Sequence, residues 1–176
     1  YVLHPGVGPI AAARLSVIDL GAPGGPRLAQ ERSVDAPAGL LVAAERAPVL
    51  LALGPKRLAL FDVREPRRAA SWGTAELPAE AQGAVAAALS PDGALLAVAL
   101  AEDNRVVLLD VKPRPDGPHP RVVAQAELLP LARQPLLCDL RFAADGEALW
   151  VLTGDNERGR GRGHQPTRVV TLKLRR

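Results

Sequence analysis

Apolar residues in this chain come in short runs, each closed by Gly, Pro, Asp or Asn. One phrase recurs along it: an arginine, a run dominated by apolar residues, then an acid. It reads Arg14-Leu15-Ser16-Val17-Ile18-Asp19-Leu20, then Arg57-Leu58-Ala59-Leu60-Phe61-Asp62-Val63, then Arg105-Val106-Val107-Leu108-Leu109-Asp110-Val111. A weaker copy, Arg168-Val169-Val170-Thr171-Leu172-Lys173-Leu174, ends in a base instead. The starting positions are separated by 43, 48 and 63 residues. Consecutive apolar residues such as Val106 to Leu109 fit a strand buried on both faces between stacked sheets. Helix fits poorly, because 16 Gly and 17 Pro punctuate the 176 residues.

The third repeat is the clearest. Ala84 to Leu89 predicts a strand, Ser90-Pro91-Asp92-Gly93 a tight turn, Ala94 to Leu100 a second strand and Arg105 to Val111 a third. In the turn, Pro presets φ, Asp supplies a side-chain acceptor and Gly a permissive backbone. After a Pro-rich loop, Arg121 to Leu128 is the fourth strand. The fourth repeat copies this with Leu136 to Phe142, a turn at Ala143-Ala144-Asp145-Gly146, and Glu147 to Leu152. Asp92 and Asp145 are 53 residues apart, and Asn104 and Asn156 are 52 apart. Two different turns thus keep one offset. An insertion, Glu157 to Thr167, delays the last strand. The second repeat reads Leu40 to Ala44, Val49 to Leu53, Arg57 to Val63 and Arg67 to Leu77. The first has Tyr1 to His4, a Gly/Pro loop, Arg14 to Leu20 and Arg27 to Val34, and lacks an opening strand.

Repeats of about 40–50 residues are the size of propeller blades, which must stack on their neighbours to bury their faces. The prediction is an all-β chain of about four four-stranded antiparallel blades, with approximate repeats 1–36, 37–80, 81–130 and 131–176. Three strands are expected in the first and last repeats and four in the middle two. The ring therefore does not close on this chain, and roughly half a ring is expected. Val17, Leu60, Val107 and Leu108 should lie between blades.

Tyr1-Val2-Leu3-His4 leading to Leu15-Ser16-Val17-Ile18-Asp19 resembles the YVTN-type repeat. Leu89-Ser90-Pro91-Asp92-Gly93 with Asn104-Arg105-Val106 resembles the blades of lactonase-like and WD-repeat-like propellers. No repeat ends in Trp-Asp, and His4-Pro5 replaces a Thr-Asn pair. The resemblance implies a larger, seven-bladed ring, with the remainder elsewhere in a parent protein. It also implies one route to catalysis, a divalent ion held in the central channel by carboxylates and an Asn.

Composition changes the picture in three places. Only three residues are lysine and none is methionine, in a chain rich in Ala, Arg, Pro and Gly, as in proteins of GC-rich bacterial genomes. A chain without Met is read as a piece of something longer, and its expected location is bacterial and extracytoplasmic, in the periplasm or at the cell surface. No apolar stretch approaches the ~18 residues of a membrane-spanning helix. The net charge of +3 is uneven: residues 158–176 carry +7 and residues 1–157 carry −4.

Candidate chemistry is sparse. Asp92, Asp103, Asp145 and Asp155, with Asn104 and Asn156, could hold calcium or magnesium through oxygen ligands. The favoured reading is turn chemistry, which needs the same residues. Asp19, Asp62 and Asp110 read as hydrogen-bonding caps at strand ends. His4, His119 and His164 sit in Pro/Gly loops without metal spacing or a carboxylate partner in sequence. Cys138 reads as a buried core thiol, and a lone cysteine forms no internal disulfide. Trp72 and Trp150 are expected to pack between blades. The segment Arg158-Gly159-Arg160-Gly161-Arg162-Gly163-His164 is the one local oddity. Its Arg158, Arg160, Arg162 and His164 are candidate contacts to an anion or an acidic partner. No aromatic interleaves them, so nucleic acid is the weaker reading.

These observations favour a non-catalytic protein-interaction or ligand-binding propeller module of a larger protein or complex, with no catalytic, cofactor or metal residues assigned. Its partner would be another protein or the remaining part of the same propeller. The alternative is a metal-dependent lactonase-like enzyme.

Overall fold

A strand of this chain is stable only where a second sheet covers its apolar face, and the fold follows from that need. The computed structural model describes residues 1–4, 13–34, 38–65, 67–100, 104–128, 135–155 and 168–174, with backbone alone at 135–138, 154, 155 and 168. The described residues form fourteen strands in four antiparallel sheets, each a simple up-and-down meander. The first sheet holds β1 (Val2–His4), β2 (Ala13–Asp19) and β3 (Arg27–Val34). The second holds β4 (Leu40–Ala43), β5 (Val49–Leu53), β6 (Arg57–Asp62) and β7 (Ala70–Glu76). The third holds β8 (Ala86–Leu89), β9 (Leu95–Leu100), β10 (Arg105–Asp110) and β11 (Arg121–Glu127). The fourth holds β12 (Pro135–Phe142), β13 (Ala148–Asp155) and β14 (Arg168–Lys173).

Strand identity and strand number per sheet thus agree with the sequence pattern. The predicted first strand of the third repeat is shorter than expected, since Ala84 and Val85 precede β8. The predicted Arg67 start of the fourth strand in the second repeat moves to Ala70, because Arg67, Arg68 and Ala69 still belong to the connection from β6. A single 3-10 turn, Ala79–Ala81 after Pro78, is the only helical element among the described residues.

Alternation along the third-position strands divides the cores. Leu15 and Val17 of the first sheet meet Ala59 and Phe61 of the second. Leu58 and Leu60 point the other way and meet Val107 and Leu109 of the third sheet. Val106 and Leu108 then meet Leu149, Val151 and Phe142 of the fourth. Val17, Leu60, Val107 and Leu108 are 2%, 0%, 0% and 8% exposed, as their consecutive apolar placement requires. Four sheets thus share three apolar cores, and among the described residues no core joins the fourth sheet to the first. The described sheets form an open arc.

That openness corrects one expectation. Trp150 does not pack between blades; it is 44% exposed. It pairs with Arg141 and Thr171 on the face of the fourth sheet turned away from the third. Leu51 and Ala97, at the corresponding place in their sheets opposite Leu60 and Leu108, are fully buried because a following sheet covers them. Trp150 has no such cover among the described residues. Trp72 is half-buried against the core between the second and third sheets.

Polar side chains close the joints between blades. Arg32 donates to the Ala69 carbonyl at 2.7 Å, and the Ala69 amide donates to Gln30 Oε1 at 2.8 Å. Ala69 is fully buried, so these two bonds satisfy a backbone that water cannot reach. In the third blade, the Ser90 hydroxyl donates to Asp92 Oδ1 at 2.6 Å and accepts from the Leu95 amide at 2.8 Å. Ser90 is 3% exposed. Ser90→Ala should therefore lower stability by about 1–3 kcal/mol, the cost of leaving a buried amide without its acceptor. An unchanged urea midpoint for this variant would show that the hydroxyl bond contributes nothing.

Candidate functional site

The third-position strands of the first three sheets, β2, β6 and β10, each end in an aspartate, and the structure shows what it does. Asp19 Oδ1 accepts from the Gly21 amide, Asp62 Oδ1 from the Arg64 amide and Asp110 Oδ1 from the Lys112 amide, all at 3.0 Å. An aspartate that binds the amide two residues on makes a side-chain mimic of a turn. Its other oxygen holds an arginine. Asp19 Oδ2 meets Arg67 Nε at 2.7 Å, Asp62 Oδ2 meets Arg64 Nε at 3.5 Å, and Asp110 Oδ2 meets Arg114 Nη2 at 3.3 Å. The strand-end caps expected from sequence are therefore present at all three positions. In addition, they set a row of arginines along one end of the sheets.

The outermost strands contribute a second repeated device. In the first sheet the register slips between Val17 and Ile18, so Ala29 has no partner; in the third it slips between Leu108 and Leu109, leaving Val123. In the second it slips between Leu60 and Phe61, and the extra residue is Trp72. A bulge bends the strand and re-aims the side chain at it. Of these three, only the second blade places an aromatic residue there.

The third element is the Pro-rich connection between β10 and β11. It lies against β7: Gly117 approaches the Trp72 carbonyl, and a Cβ added at Gly73 would come within 3.2 Å of Pro118 Cδ. Gly73 also has φ +125°, so glycine is needed there for conformation as well as for space. Between this loop and the second blade lies a cavity of about 430 Å³, lined by Arg64, Ser71, Trp72, Pro113, Arg114 and Pro115. Its size falls in the range of ligand sites, about 300–1,000 Å³. Two cations, one indole, two pyrrolidine rings and a hydroxyl thus converge from two blades.

The other expected sites fare differently. Asp92 Oδ1 accepts from the Ala94 amide at 3.2 Å, and Asp145 Oδ1 accepts from the Glu147 amide at 2.8 Å. Both make the turn contacts expected of Asp-Gly. Asn104 adopts φ +47°, and its side-chain amide donates to the Leu128 carbonyl. Asp103 and Asn156, and the side chain of Asp155, lie outside the described residues. So do His164 and the arginines Arg158, Arg160 and Arg162, and the side chain of Cys138. His119 corrects the sequence reading, which found it no carboxylate partner: its Nε2 lies 3.0 Å from Asp116 Oδ2. The pair is exposed.

The first strands of the last three sheets, β4, β8 and β12, neighbour one another and line the inside of the arc. A cavity of about 240 Å³ there is walled mainly by Val42, Ala87, Leu89, Leu140 and Phe142, with Glu45 and Arg141 paired at 3.5 Å at its mouth. Among the described residues no three His, Cys, Asp or Glu side chains lie close enough together to hold a metal ion. No helix among the described residues is long and apolar enough to cross a membrane.

No protein-family model matches the chain, and no curated protein matches its sequence. Solved structures do match. The periplasmic gluconolactonase PpgL of Pseudomonas aeruginosa superposes with a TM-score of 0.62 at 18% identity, over 99% of this chain and 49% of that one. The β-propeller domain of Cps50 (Swd1) from Myceliophteria thermophila gives 0.51 at 11% identity, over 72% of this chain and 38% of that one. The N-terminal domain of Nup159 gives 0.50 at 15% identity, over 94% and 41%. The chain spans about half, or less, of the length of these structures. At such identities the likeness is one of fold, and with four stacked antiparallel sheets it makes this chain part of a β-propeller.

Proposed function

We propose that the chain is a non-catalytic β-propeller module that binds a partner in the groove between its second and third blades. The observation that carries this reading is the convergence of Arg64, Trp72 and Arg114, from two blades, on one cavity of ligand size. Tryptophan and arginine are the residues that most often dominate binding energy at protein interfaces. Here the tryptophan is presented by a bulge and the arginines by aspartate-capped turns, so the groove is built from positioned side chains. Binding on a rigid scaffold through loops is what such an arrangement does well.

A peptide-display selection against the protein tests this. Selected peptides should lose about 2 kcal/mol of binding, some thirtyfold, when Trp72 is replaced by Ala. Peptides indifferent to Trp72→Ala and Arg64→Gln would place binding elsewhere. Lactone hydrolysis that rises on addition of calcium or magnesium would overturn the non-catalytic reading in favour of a metal-dependent enzyme.

A further inference from the structure

We propose that the ligand of this groove is an acidic peptide segment in extended conformation, with carboxylates on Arg64 and Arg114 and apolar side chains on Trp72 and the two prolines. This rests on the groove being a binding site, and it adds the chemistry of what enters.

Arg64 is tethered to Asp62 through Nε alone, at 3.5 Å, and its side chain is 72% exposed. Arg114 is tethered to Asp110 through Nη2 alone, at 3.3 Å, and is 34% exposed. A guanidinium carries five N–H donors in a planar fork, so one long contact leaves most of its donors for a ligand. The aspartates act as anchors: each is held by a backbone amide at 3.0 Å, and each fixes its arginine at the groove. A planar carboxylate matches a guanidinium edge with two parallel bonds.

Two backbone amides that could otherwise cradle an anion are already taken at this rim. Built phosphate sites use successive backbone amides as a cradle. At this rim the amides of Arg64 and Lys112 are already bound by the carboxylates of Asp62 and Asp110. What the groove offers an anion is side-chain guanidinium.

The shape of the groove favours an extended segment. The floor of the groove is β7, the outermost strand of its sheet, and its walls are Trp72, Pro113 and Pro115. Alternating side chains of an extended peptide reach opposite sides, so one set can face the arginines while the other packs on the indole and proline rings. The Ser71 hydroxyl accepts from the Gly73 amide at 3.1 Å and keeps its own proton to donate to a peptide carbonyl or carboxylate.

The test uses fluorescein-labelled peptides of alternating glutamate and valine, of alternating glutamine and valine, and of alternating phosphoserine and valine, read by polarisation against the protein. The glutamate peptide should bind at least about tenfold more tightly than the glutamine peptide, since one of the two charge-assisted pairs alone is worth about that much. The double variant Arg64→Gln, Arg114→Gln should erase that difference, and moderate salt should reduce it. Both arginines are surface residues, so an unchanged thermal midpoint confirms that the double variant is folded. Equal binding of the glutamate and glutamine peptides, still lost in Trp72→Ala, would overturn the carboxylate assignment and keep the groove. Arginine-dependent binding that favours phosphoserine would overturn it in favour of phosphate. Glutamate-peptide binding untouched by both the arginine and the tryptophan changes would overturn the groove reading itself. No binding of the glutamate peptide overturns the acidic-peptide proposal, while the display selection still judges the groove.

Discussion

Replacing Leu60 with Asp is expected to unfold the second and third blades together. Leu60 is fully buried in the core shared by those sheets, against a wall that includes Leu51, Val107 and Leu109. Among the described residues no basic residue is buried, so the new carboxylate would be set among apolar side chains. A carboxyl group without a partner in such a place costs several kcal/mol even when it protonates and sheds its charge. A domain of this size has about 5–15 kcal/mol in total. Leu60→Ala separates the cavity from the charge and should cost about 2–5 kcal/mol. Leu28, 62% exposed on β3, supplies the control; Leu28→Asp should stay within about 0.5 kcal/mol. Urea denaturation followed by tryptophan fluorescence reads all three, since Trp72 packs on the same core. Equal midpoints for Leu60→Asp and Leu28→Asp would mean that the strand register is wrong.

Leu60 also shows why so much of the fold was legible. A strand buried on both faces has no polar face to disguise it, so Arg57 to Asp62 and Arg105 to Asp110 stand out as near-continuous apolar runs. The turns were legible for a different reason: Ser90, Asp92 and Gly93 satisfy local bonds whose partners lie within a few residues. The groove was not legible, because its parts are contributed by separate blades. Trp72 reads as one more apolar residue in a strand until the slipped register shows it to be the bulged one. Nothing local to Arg114 or Pro113 says that their loop lies against β7. The contacts of Arg32 and Gln30 with Ala69 were missed on the same ground: they are long-range bonds to backbone. Trp150 was misjudged because the sequence pattern reports which face is apolar, whereas burial depends on a further sheet to cover it.

Gly93→Ala is expected to cost clearly more than Gly83→Ala, although the two glycines have nearly the same backbone, φ +73° and φ +78°. Both substitutions put a Cβ into the left-handed region, a penalty of about 1–2 kcal/mol. At Gly83 nothing lies within 4 Å of the added atom, so the penalty stands alone. At Gly93 the Cβ would sit 2.7 Å from Val49 Cγ2, 3.1 Å from Val49 Cβ and 3.3 Å from Ala47 Cβ. Val49 is 4% exposed and pinned in β5, and its neighbours leave it little room to retreat. Overpacking of this kind adds about 1–3 kcal/mol. The contact is between blades: Gly93 belongs to the turn of the third sheet and Val49 to the second. The same joint carries the bond from the Arg46 amide to the Pro91 carbonyl at 2.9 Å. Strain there is felt by the pair of blades that builds the Arg64–Trp72–Arg114 groove. A double-mutant cycle isolates the clash from the backbone penalty. Val49→Ala removes the atom at 2.7 Å, so in that background Gly93→Ala should lose much of its excess cost, a coupling of about 1 kcal/mol or more. Gly83→Ala should show no coupling to Val49→Ala. Equal costs for the two glycine substitutions, or a Gly93→Ala cost indifferent to Val49→Ala, would mean that the turn of the third blade does not seat against the second as described.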